Sequence, residues 1–154
     1  GLLLGSIASG VIGASRVPIL VVPKNGSFHK IANVAMATDF HADLNQRSLN
    51  VLRRLLLIEH AGLHVVHVIQ KPNEHADKSK EAILRENLGE INVKFHYLHD
   101  KSLVNAISDF TKKVDAHLLC SISHKHGIAH KLFYASTSRR LAEQAQMPLL
   151  VLYD

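Results

Sequence analysis

Apolar positions along this chain fall into two periods. Over residues 2–15, Leu3, Leu4, Ile7, Ala8, Val11 and Ile12 recur at helical spacing, and Pro18 to Val22 then forms an unbroken apolar run of strand length. Pro23 to Ser27 is rich in turn formers and reads as a connector. Beyond it, Ile31 to Ala37 reads as a strand ending at Thr38-Asp39-Phe40. Asp43 with Gln46 three residues later is a capping-box signal for a helix that turns Leu44, Val51, Leu52, Leu55 and Leu56 inward and stops at Gly62. Leu63 to Ile69 is the next strand, and Glu74 to Leu88 a charged helix with a thin apolar stripe.

Ile91, Val93, Phe95 and Tyr97 alternate with Asn92, Lys94 and His96, the period-two pattern of a strand with one wet face, which places it at a sheet edge. Ser102 opens a helix through Val114, His117 to Ile122 is a strand, 123–130 a loop, 131–146 a helix, and Pro148 to Leu152 the last strand. Strands alternating with helices of this length predict right-handed crossovers and an α/β fold. The expected core is an open five-stranded parallel sheet, order 3-2-1-4-5, with helices on both faces. The order reverses between the strand ending at Asp39 and the strand ending at Ile122, so a small ligand is expected in the crevice beyond those two ends.

A piece of the chain occurs twice. Ala135 to Leu152 lines up without a gap on Gly5 to Val22, with Ser136 on Ser6, Pro148 on Pro18, Leu150 on Leu20 and Val151 on Val21. The expected organisation is therefore the helix and last strand of a preceding domain over 1–23, a linker over 24–30, and a complete domain over 31–154, within a longer protein.

Composition narrows the function. The chain has 154 residues, 47% hydrophobic and 20% charged, and a net charge of +5 with no block of like charge, so a mildly basic surface is read rather than a nucleic-acid patch. The absence of Trp argues against base-stacking platforms. Gly5, Gly10 and Gly13 interrupt the apolar N-terminus, against a targeting or membrane segment. A single cysteine, Cys120, excludes an internal disulfide and fits a reducing, cytoplasmic setting.

The motifs Val34 to Phe40, Leu63 to Val68, Val114 to Leu119 and Met147 to Leu152, in this order and spacing, resemble the universal stress protein family over essentially the whole chain. The resemblance implies the adenine nucleotide alpha hydrolase-like, Rossmann-like fold and a stress-response role. It also implies an ATP- or AMP-type ligand near Asp39 and Val68, and last strands that pair antiparallel in a homodimer or pseudo-dimer, here Pro18 to Val22 against Pro148 to Leu152. Nucleotide-binding members carry G-x-x-G, nine residues, then G-[S/T]. Here the pattern falls on Ile122, Lys125 and Ala135-Ser136, so only Ser136 matches, with Gly127 out of register. Side chains at Ile122 and Lys125 restrict the close backbone approach that glycines provide to phosphates.

The reading is thus a non-catalytic binding, regulatory or dimerisation module with a degenerate nucleotide loop. One alternative is a nucleotide or phosphorylated-metabolite sensor using Asp39, Val68, Lys125, Gly127 and Ser136. Another is a Zn²⁺ site from His124, His126, His130 and His41. The remaining histidines read as ordinary surface or strand residues. Ser121, Ser123 and His124 lack the arrangement of a nucleophile with its base and orienter, so no enzyme is expected, with slow nucleotide hydrolysis left open.

Overall fold

The computed structural model describes residues 6–23, 29–40, 46–123 and 147–153. Its elements in chain order are α1 (Ser6–Ala14), β1 (Ile19–Val21), β2 (Asn33–Ala37), α2 (Gln46–Glu59), β3 (Gly62–Ile69), α3 (Ser79–Leu88), β4 (Val93–His99), α4 (Leu103–Lys113), β5 (Leu118–Ser123) and β6 (Leu149–Tyr153). They build one six-stranded sheet in the order β1-β6-β5-β2-β3-β4.

Strands β2 to β6 are parallel and follow the expected 3-2-1-4-5 order. The sheet nevertheless differs from the all-parallel five-stranded expectation. β1 adds a sixth strand, antiparallel to β6, with Ile19 opposite Val151, Leu20 opposite Leu150 and Val21 opposite Leu149. The pairing covers the otherwise open backbone edge of β6. The N-terminal segment is also packed: Ile12 is 1% exposed, and the Tyr153 hydroxyl donates to the Ile12 carbonyl at 2.8 Å.

Alternation along the strands divides the core into two clusters, one on each face of the sheet. One face packs Ala35, Ala37, Val66, Val68, Leu119 and Val151 against Ile12 of α1 and against Leu103, Ile107 and Phe110 of α4. The other packs Val34, Met36, Val65, Leu118, Cys120 and Leu152 against Leu49, Leu52 and Leu56 of α2 and against Leu84 and Leu88 of α3. Full burial of Cys120 pushes its thiol well above the usual range, which keeps it protonated.

Several local expectations are corrected. α2 ends at Glu59 rather than at Gly62: His60 takes the left-handed turn (φ 52°), the amides of His60 and Ala61 donate to Leu57 and Leu56, and Gly62 already belongs to β3. α3 begins at Ser79 instead of Glu74, because the Glu74 carboxylate accepts the backbone amides of Gln70 and Lys71 and so holds a turn. Gly89, at φ 63°, closes α3. Ser102 caps α4 by accepting from the Asn105 amide, as the sequence indicates. Asp43, the expected cap of α2, and the helix expected over 131–146 lie outside the described residues.

Candidate functional site

At the carboxyl end of β2 the chain turns sharply. Thr38 continues the ladder by donating its amide to the Val66 carbonyl at 3.1 Å, and Phe40 then adopts φ 58°, a conformation that costs a non-glycine residue about 1–2 kcal/mol. Three contacts hold Phe40 there. Its amide donates to Thr38 Oγ1 at 3.0 Å, its ring lies 5.5 Å from that of His67 and 6.3 Å from that of Tyr97, and the residue is 8% exposed.

His67 is itself buried. Its Nδ1 lies 3.0 Å from the Thr38 carbonyl, which fixes Nδ1 as the protonated nitrogen, and its Nε2 faces Glu74 Oε1 at 3.8 Å. Slight burial raises the Glu74 carboxyl, but the amides of Gln70 and Lys71 and the neighbouring His67 and Lys71 outweigh it, holding it below the ordinary value. Tyr97 donates to Glu81, and burial followed by that bond keeps its phenol protonated. The β2 corner is therefore braced from β3, β4 and the start of α3.

Beside this corner, between α2 and α3, a crevice of about 230 Å³ opens at the carboxyl ends of β2 and β5. Met36, Phe40, Leu49, Leu84 and Ile122 form its apolar walls. Thr38, Gln46, Lys80 and Asn87 bring polar groups, and Ile83, 58% exposed, stands at the mouth. Gln46 Nε2 donates to Asn87 Oδ1 at 2.6 Å and bridges the two helices. This is the switch point that strand order predicts, because β2 and β5 are neighbours whose crossovers leave in opposite directions.

The sequence-predicted site residues are distributed differently. Val68 is buried in the core of the opposite, α1/α4 face, and Asp39 is half-buried at the β2 corner; neither lines the crevice. Lys125, Gly127 and Ser136, and the proposed metal ligands His41, His124, His126 and His130, lie outside the described residues. Among the described residues no group of three His, Cys, Asp or Glu side chains is placed to hold a metal ion. No described helix is long and apolar enough to cross a membrane.

Some residues read from sequence as ordinary have specific surroundings. His64 Nδ1 lies 3.1 Å from His96 Nε2 on the α4 face, the rings 5.3 Å apart, with Phe110 edge-on to His96 at 4.8 Å. Burial, then nearby positive groups including Lys94, holds both imidazoles below their usual pKa. The wet face expected for β4 is thus partly covered by α4. Among the described residues, Ser121 Oγ, fully buried on β5, has no hydrogen-bond partner. The odd spacing of His64 and His67, on a strand that also carries Val66 and Val68, offered a signal only for which face each histidine takes.

Solved structures with the same topology place the fold. A universal stress protein from Archaeoglobus fulgidus superposes with a TM-score of 0.68 at 22% identity, over 99% of this chain and 55% of that one. This chain has the universal stress protein fold. A universal stress protein solved in complex with cAMP superposes at a TM-score of 0.55 and 20% identity, over 81% of this chain and 98% of that one. Another Archaeoglobus fulgidus universal stress protein, solved in complex with dAMP, gives 0.53 and 20% over the same shares. The chain thus spans little more than half the length of the first of these proteins. No protein-family model matches the sequence, and no curated protein matches it significantly.

Proposed function

We propose that this chain is a non-catalytic universal stress protein module that works in the cytoplasm, in the stress response, by binding a small ligand of the adenine-mononucleotide class at the β2 corner. The observation that carries the reading is the position of Asp39. It stands half-buried at the end of β2, where the strand order reverses, in a fold whose solved relatives include proteins complexed with cAMP and dAMP. The poor match of the loop motif argues for recognition of the base and sugar more than of phosphates. Cys120 is buried and protonated, and among the described residues no base pairs with Ser121 Oγ, which supports a non-catalytic role.

Thermal unfolding with AMP, cAMP and ATP tests this. A ligand at a hundred times its Kd contributes about 2.7 kcal/mol, which raises Tm by roughly 5–10 °C for a chain of this size, and Asp39→Asn abolishes the rise. A flat response to all three nucleotides overturns the reading.

A second reading, compatible with the first, is assembly: the chain is the C-terminal part of a tandem protein, and β1 is the last strand of a preceding domain. The β1–β6 pairing favours it, as do the exposed apolar side chains Val11, Val17, Leu20 and Val22, all on the N-terminal segment.

A further inference from the structure

Both peptide units that flank Asp39 are held by a hydrogen bond, one from its own strand end and one from far along the chain. The peptide after Asp39 is fixed locally, because the Phe40 amide donates to Thr38 Oγ1 at 3.0 Å. The peptide before it is fixed through the Thr38 carbonyl, which lies 3.0 Å from His67 Nδ1 on β3. We propose that His67 is a positioning residue for the ligand: by setting the plane of the Thr38–Asp39 peptide, it sets the direction in which the Asp39 side chain leaves the strand. This rests on the reading of Asp39 as the contact for an adenine mononucleotide.

The direction of a side chain follows from the two peptide planes that meet at its Cα. Registered pairing of β2 with β3 ends at Ala37 opposite Val66, so the Thr38 carbonyl takes a side-chain donor where the ladder stops. Thr38 and His67 are 4% and 6% exposed. A carbonyl buried to that extent and left without a donor bears the full cost of its lost hydration, and the bond from His67 removes that cost in one orientation of the peptide.

The clamp does not depend on the charge of the ring. A carbonyl only accepts, so the proton is on Nδ1. Nε2, which faces Glu74 Oε1 at 3.8 Å, can take a second proton without breaking the bond to Thr38. The ring also packs 5.5 Å from Phe40 and 6.2 Å from Tyr97, and this packing is separable from the donor. His67→Phe keeps a ring and removes the donor. His67→Asn places an amide N–H close to where Nδ1 stands and removes the ring.

The experiment compares these two variants of the full chain by AMP titration calorimetry, by urea midpoints and by the ¹⁵N–¹H shift of the Asp39 amide without ligand. His67→Phe is expected to weaken AMP about tenfold and to displace the Asp39 amide, as loss of one positioning hydrogen bond implies. His67→Asn is expected to stay within about threefold of wild type, with the Asp39 amide near its wild-type position, although it is the less stable of the two. A packing role alone would make affinity follow stability and reverse that order. Equal AMP affinity in wild type and His67→Phe, or His67→Asn as weak as His67→Phe, overturns the proposal. Should His67→Asn not fold, His67→Phe and the wild-type imidazole ¹⁵N spectrum decide, because a His67 proton on Nε2 alone overturns it as well. AMP that fails to bind wild type overturns the nucleotide reading and this proposal with it, whereas AMP that binds wild type and His67→Phe alike overturns this proposal only.

Discussion

The two faces of the sheet are built from the same strands yet packed differently. On the α1/α4 side, α4 brings Leu103, Ile107 and Phe110 down onto the strands, and polar groups at the margin are paired with each other, as His64 with His96. On the α2/α3 side the helices pack on the strands at Leu52, Leu56 and Leu88, and the crevice lies toward the strand carboxyl ends, with Leu49 and Leu84 among its lining residues. The crevice lies beside a backbone held at φ 58° at Phe40.

The contrast is testable in stability. Ile107→Ala on the closed face removes a fully buried side chain with little room for collapse, and is expected to cost about 4 kcal/mol, against about 2 kcal/mol for Leu49→Ala, whose site already borders open space. Urea denaturation reads both; equal losses would remove the distinction between the faces. Next in size is Tyr153→Phe. The Tyr153 hydroxyl reaches α1 while its carbonyl accepts from Ser48 of α2, so this residue ties the two faces together, and loss of the bond to Ile12 is expected to cost about 1 kcal/mol. A neutral substitution would mean that α1 is held in place without this hydrogen bond.

The smallest effect is pH dependence on the closed face. The folded-state pKa values of His64 and His96 are lowered, so below about pH 6.5 the unfolded chain binds protons that the folded chain resists, and their contribution to stability falls as pH drops through that window. His64→Phe is expected to flatten the decline between pH 7.5 and 5.5 measured by urea midpoints. An unchanged slope would assign the decline to other groups.

Much of the fold was legible in the residues because burial follows short-range periodicity. Continuous apolar runs named the inner strands, alternation in Val93 to Tyr97 named β4 as an edge, and the repeat of Pro18 to Val22 in Pro148 to Leu152 anticipated two strands that pair. Local competition was harder to read. Glu74 looks like a helix residue, yet it spends its carboxylate on two backbone amides, and His60 takes a turn that Gly62 was expected to make.

The sequence by itself determined the order of elements, the parallel sheet and the switch point between β2 and β5, since these depend on hydrophobic period and crossover handedness. Only the tertiary structure decided that His64 meets His96, that His67 braces Phe40, and that α2 and α3 part to leave a crevice lined by Met36 and Ile122. Strand register and the angle between two helices are set by side chains tens of residues apart, and no local pattern carries that information.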